Sequence, residues 1–161
     1  MLKKIVSGGQ TGVDRSALDA AIQVNYEYGG WCPRGRRAED GIIDSIKYAN
    51  LQETSTDHYP QRTEFNVRDS DGTLIILLDS ENTMGRGTKL TVSIAKKRGK
   101  PLLIVCLNEE DNSINQAKVI EWLSTNKIEI LNVAGPREST TPGVYKQAEP
   151  FLKNLLEKIK S

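Results

Sequence analysis

The sequence is poor in the residues that metal, redox and secreted-protein chemistry use. One histidine, His58, stands among 161 residues. It has no second ligand at metal-binding spacing, so no zinc site is legible and it reads as a surface residue. The two cysteines, Cys32 and Cys106, form no CxxC pair and are too few for a disulfide framework, which predicts a reducing, cytoplasmic setting. An excess of one charge is missing too: 22 Lys and Arg face 21 Asp and Glu, a net of +1. No global field therefore favours nucleic acid or an anionic membrane surface, and any basic site must be local. No apolar run is long enough to cross a bilayer, and Met1-Leu2-Lys3-Lys4 leads into only a brief one, so neither a membrane span nor a signal-peptide core is expected. The length suits one soluble domain, residues 1–161, with a sizeable core.

What is present is an alternation of short apolar runs and helical patterns. Leu2 to Ser7 reads as a strand stopped by Gly8-Gly9. Thr11 is placed to cap a helix with Asp14 in a capping-box-like pair, and Val13, Ala17, Ala20, Ala21 and Val24 line one face of that helix. Tyr26 to Trp31 is a weaker strand running into the loop Cys32 to Arg37. Between Ala38 and Thr56 periodicity is poor, with one short strand expected at Leu51 to Thr54. Tyr59 to Val67 looks helical. Thr73 to Leu78, "TLIILL", is apolar on both faces, as a central parallel strand requires. A glycine loop from Met84 to Thr88 leads into a helix at about Lys89 to Arg98. Strand Pro101 to Leu107, helix Ser113 to Thr125, strand Ile128 to Val133 and a terminal helix Gly143 to Lys160, bent near Pro150, complete the chain. This order predicts an α/β fold, a three-layer Rossmann-like sandwich with a mostly parallel sheet.

In such a sheet a ligand binds at the C-terminal ends of the strands. Both glycine segments leave strands at that edge. Gly8, Gly9 and Gly12, with Gln10 and Thr11 between them, allow the backbone to approach a ligand while the next helix aims its N–H groups at it. Gly85, Gly87 and Thr88 repeat the arrangement, so the expected ligand is an anion, most simply a phosphate. The dinucleotide fingerprint itself is incomplete, since Ser7 stands where its first glycine belongs and no acid follows the second strand.

Arg34, Arg36 and Arg37 follow the second strand and offer planar guanidinium groups suited to phosphate. A solvated basic loop explains them equally well. Trp31 is either a stacking surface or core. Arg62 and Asn66 share a helical face that could reach a ligand, although an exposed face with local ion pairs is the commoner arrangement. Cys32 reads as a packing residue rather than a reactive thiol, and Cys106, within "LLIVCL", as core.

Four blocks in order, "SGGQTGVDRSALDAA", "GGWCPRGRRAEDG", "YPQRTEFNVRDSDGTLI" and "GRGTKLT", closely resemble the putative molybdenum carrier family, over about Ile5 to Leu107. The resemblance implies a Rossmann-like relative of the lysine-decarboxylase-like phosphoribohydrolases, assembled as homo-oligomers, dimers or tetramers. It implies molybdenum cofactor (molybdopterin), a phosphate-bearing pterin, or a nucleotide as ligand, with molybdoenzymes as partners. Carried over by motif, Gly8, Gly9, Gln10, Thr11, Gly12 and Arg15 belong to the family's first loop and Arg34, Arg36 and Arg37 to its arginine loop. Gly85, Gly87 and Thr88 stand where the hydrolases have PGGxGTxxE. Lys89, Leu90, Thr91 and Val92 follow without a carboxylate, which ranks a binder above a nucleotide N-glycosidase. The hydrolase alternative needs another acid, such as Asp69, Asp71, Glu81 or Glu138.

Overall fold

A computed structural model describes residues 1–80 and 84–161. The elements are β1 (Lys4–Val6), α1 (Val13–Gln23), β2 (Tyr28–Cys32), β3 (Arg37–Ala38), β4 (Gly41–Ile42), β5 (Leu51–Glu53), α2 (Tyr59–Arg68), β6 (Gly72–Leu77), α3 (Gly85–Lys97), β7 (Leu102–Cys106), α4 (Asn112–Thr125), β8 (Ile130–Ala134) and α5 (Val144–Lys160). Six strands form one sheet in the order β5-β2-β1-β8-β6-β7, and every pairing in it is parallel. The Rossmann-like α/β sandwich expected from the sequence is the fold observed.

Burial explains the order. All of β6 is buried, as its unbroken apolar run demands of a strand covered on both faces. β8 is the last strand in sequence and lies between β1 and β6, with Asn132 in register with both Val6 and Thr73. One face of the sheet carries α1, α4 and α5, whose contacts merge with Leu74, Ile76, Leu131 and Val133 into the main core. Ala17, Ala20 and Ala21 let α1 pack closely on α5. The other face carries α2 and α3, joined through Val67, Ile94 and Ala95. Area-based reasoning assigns about 1.5 to 3 kcal/mol to each large side chain fully buried in this way.

Several local expectations change. Thr11 does not cap α1: Gly12 occupies the cap at φ 79° with no side-chain hydrogen bond. Thr11 Oγ1 instead donates to Glu39 and accepts from the Glu138 N–H. Gly85, Gly87 and Thr88 form the first turn of α3 rather than a loop before it. Pro150 lies inside α5 on its exposed side, where water serves the carbonyl that its missing N–H leaves free. The poorly periodic stretch holds the β3–β4 hairpin, and Ile43, Tyr48 and Leu51 pack with Leu18 and Cys32 into a second core. Cys32 is fully buried, and burial pushes its thiol above the ordinary range. Cys106, expected in the core, is partly exposed on the edge strand β7.

Candidate functional site

A cavity of about 570 Å³ opens at the C-terminal ends of β1, β8 and β6, where the strand order reverses. Four segments wall it. The turn after β1 contributes Gly8 and Gln10, with Asp14 from α1, and α2 contributes Tyr59, Arg62, Thr63 and Asn66. The first two turns of α3 supply Gly85, Arg86, Gly87, Thr88 and Thr91, and β8 with its following segment supplies Asn132, Gly135, Arg137 and Thr140. A helix N-terminus meeting Arg62, Arg86 and Arg137, the last paired with Glu39 at 3.4 Å, is an electropositive setting, since unsatisfied N–H groups and the helix dipole favour an anion there.

Arg62 is the best-placed cation. It is only 7% exposed, its Nη1 donates to Gly8 O at 2.9 Å, and its Nε makes a long contact with Thr63 Oγ1 at 3.4 Å. The guanidinium lies over the Tyr59 ring at 5.1 Å. Its Nη2 has no acceptor among the described residues. Among the described residues no carboxylate closes an ion pair with it, although Asp14 lies near enough to feel its charge, and a buried guanidinium so placed is complemented by an anion from outside.

Asp14 stands beside it. Its Oδ2 accepts the Gln10 N–H at 3.3 Å, and burial pushes the carboxyl above its ordinary value while Arg62 pulls against that. A Cβ on Gly8 would come within 2.9 Å of both Arg62 Nη1 and Asp14 Oδ2. Glycine at this position therefore leaves room for the two side chains to converge.

Residues 5–156 match the circularly permutated YpsA SLOG family. The chain belongs to that family. A solved structure from Syntrophus aciditrophicus SB, named a putative molybdenum carrier protein, is similar to it at 41% identity and a TM-score of 0.87, over 99% of this chain and 96% of that one. No curated protein matches. In this SLOG-family chain the permutation agrees with the sheet, where the last strand sits at the centre.

The SLOG-family cavity gathers some of the residues singled out in the sequence and leaves others elsewhere. Gly8, Gln10, Gly85, Gly87 and Thr88 line it. Gly9 does not: a Cβ there, at φ +78°, would meet Ile43 at 2.9 Å and Leu51 at 3.1 Å. Gly12 faces the backbone of Pro136 and Arg137, and Pro136 O takes the first N–H of α1 at 3.2 Å. Thr11, Gly12 and Arg15 line a second, shallower hollow of about 470 Å³ instead. There Arg15 pairs with Asp40 at 2.9 Å and donates to Gly9 O.

The arginine loop lies outside both cavities. Arg34 is exposed, and Arg37 donates to Asp57 O and covers the Tyr59 ring at 4.8 Å. Arg36 donates to three carbonyls, of Ile43, Asp44 and Tyr48, and so fastens the 43–48 turn. Trp31 packs edge-on against Phe65 and donates from its indole to Asp69. Asn66 lines the cavity while clamping the Trp31 backbone through both ends of its amide. His58 is exposed.

Of the four acids named for the hydrolase alternative, the three described ones, Asp69, Asp71 and Glu138, do not line the main cavity. Asp69 pairs with Arg68. Asp71 receives the N–H groups of Glu129 and Ile130 at the opposite end of the sheet. Glu138 caps α5 through Gly143 and Tyr145. Glu81 lies outside the described residues. Sequence reasoning missed Asp14, Arg86, Arg137 and Asn132 as cavity residues, and it gave Arg62 an exposed face. The usable signal was the helical pairing of Arg62 with Asn66.

Proposed function

We propose that this protein binds and carries a phosphate-bearing small ligand, molybdenum cofactor or a nucleotide, in the cavity at the ends of β1, β8 and β6. The observation that carries the reading is Arg62, a buried guanidinium whose Nη2 has no partner among the described residues, at the cavity wall beside the N-terminus of α3. Gly85 and Gly87 bring that helix end to the ligand without side chains between, and Gly87 has open space around it. A volume of about 570 Å³ suits a ligand of cofactor or nucleotide size. The carrier name of the Syntrophus aciditrophicus protein supports the same role, and a cofactor bearing a phosphate would be held through that group. The reading makes the chain a cytoplasmic homo-oligomer, dimer or tetramer, that serves molybdoenzymes.

Native mass spectrometry with molybdenum cofactor and with nucleoside monophosphates tests it. The expected result is a bound ligand with no released base, at a stoichiometry that also reads the oligomer. Arg62→Gln should weaken binding by about 1.5 to 3 kcal/mol, the scale of a charge-assisted hydrogen bond. Release of free base would turn attention to Asp14, the one carboxyl lining the cavity among the described residues. Undiminished binding by Arg62→Gln would remove the proposed phosphate seat.

A further inference from the structure

We infer that the outer edge of β7 is the surface through which two copies of this chain join, strand against strand and antiparallel, into one continuous sheet. The inference deepens the homo-oligomer of the reading above, on which it rests for the second copy. It does not depend on the ligand.

The six-stranded sheet ends in β5 on one side and β7 on the other, and the two edges are built differently. β5 is three residues long with Gln52 and Glu53 exposed, and the Glu53 carboxylate accepts the Gly35 N–H. A short, polar strand whose side chains are engaged is a guarded edge. β7 runs for five residues, Leu-Leu-Ile-Val-Cys, with neither a charge nor a proline. Its Ile104 is a large apolar side chain left 38% exposed, and Leu102, Leu103 and Cys106 are only partly covered. Leu90 and Leu102, both partly buried against Val67, Ile94 and Ala95, extend the apolar strip onto α3.

The register fixes which backbone groups face outward. Thr73 N–H donates to Pro101 O and Leu107 N–H to Leu77 O, with unbroken parallel pairing between them. Alternation turns the N–H and C=O groups of Leu103 and Val105 toward β6 and those of Leu102, Ile104 and Cys106 away from it. Asn115 reaches the Cys106 carbonyl at 3.3 Å; those of Leu102 and Ile104 have no donor among the described residues. Such a row is a template for another strand. A two-fold axis at Ile104 makes the two copies of that residue a hydrogen-bonded antiparallel pair and sets each Leu102 opposite a Cys106. Charge selects this direction. α3 ends in Lys96 and Lys97 shortly before β7, while Glu109, Glu110 and Asp111 follow it. Antiparallel pairing brings the basic start of one strand to the acidic end of the other, whereas parallel pairing sets like against like. Five residues alone fall short of the roughly 1,000 Å² of a stable interface, so Leu90 and the neighbouring surfaces of α3 and α4 must meet as well.

Analytical ultracentrifugation of the whole protein over a concentration series tests this. The wild type should sediment as a dimer or a larger even assembly. Ile104→Lys, folded by circular dichroism, should halve that mass, because a lysine on a strand edge guards it against pairing. Gln52→Lys, on the edge already guarded, should leave the mass unchanged. Ile104→Cys in a Cys106→Ala background should be cross-linked by mild oxidation into a covalent dimer, since Cα atoms about 5.5 Å apart in a hydrogen-bonded pair lie within disulfide reach. A wild type that is monomeric throughout overturns the inference and the homo-oligomer reading together. An assembly whose mass survives Ile104→Lys, or one in which Ile104→Cys forms no cross-link, overturns this inference alone.

Discussion

The two glycine segments look alike in sequence and do different things in the fold. In the first, Gly9 and Gly12 are required by the protein: one faces Ile43 and Leu51, the other the backbone after β8, and both hold positive φ. Even the leading N–H of α1 is taken by Pro136. In the second, Gly87 meets nothing, and Gly85, although also at positive φ, meets only Thr140 at 3.4 Å. A glycine therefore signals that something comes close without saying whether that is the chain itself or a ligand. The comparison assigns the packing role to Gly9 and Gly12 and leaves the opening to Gly8 and the first turn of α3.

The largest expected effect comes from breaking the packed member of this pair. Gly12→Ala puts a methyl group against the Pro136 carbonyl at a backbone angle that L-residues avoid, and should cost about 3 kcal/mol or more of stability in urea titration. A near-neutral result would mean that the segment can move, and the contrast would dissolve. Arg36→Ala should follow, at about 2 kcal/mol, because three carbonyls lose a charged donor. Its affinity for phosphate-bearing probes should stay at the wild-type value, since Arg36 belongs to the packing.

Asp14→Asn is next and carries a pH signature. Burial raises the Asp14 carboxyl above its ordinary value of 3.8, so the folded chain holds the proton more tightly than the unfolded one. The stability contribution of this group is fully present below that ordinary value and declines as pH rises through the raised one. The variant should therefore be more stable than wild type near neutrality, by about 1 kcal/mol, with the difference vanishing in acid. Thermal melts of both proteins across that range check the sign. The smallest effect is Gly87→Ala: with open space around it inside α3, the change should add about 0.5 to 1 kcal/mol through helix propensity. Destabilisation there would show that the opening is less free than it looks.

Elements whose identity depends on local pattern were legible. "TLIILL" reads as a doubly covered strand because it is one, and the alanine face of α1 reads as core for the same reason. The location of β8 was not legible, because its pairing with both β1 and β6 is decided by residues far away in sequence. The arginines show the same limit at the site. Arg34, Arg36 and Arg37 sit among glycines and resemble an anion loop, yet Arg36 is fixed by the turn it fastens and none of the three reaches the cavity. Arg62 shares a helical face with Asn66 in the local pattern, but its burial against Gly8 and Tyr59 is tertiary, and no local reading brings those residues together. The local pattern pairs Asp14 with Thr11 as a cap, and only the tertiary position of Arg62 shows it as a cavity residue.

The central place of β8 also sets a schedule for folding. β1, β2 and β5 can associate early, and β6 can pair with β7, but the two halves of the sheet share no strand boundary until Ile130–Ala134 is inserted between Lys4–Val6 and Gly72–Leu77. Contacts between residues so distant in sequence carry a large loop-closure cost and slow the search for the native state. During synthesis the cavity cannot exist until β8 has emerged, since its floor is the edge that this strand completes. In a chain stalled before Ile130 the edges of β1 and β6 that β8 covers have no partner, and unpaired strand edges of that kind favour aggregation.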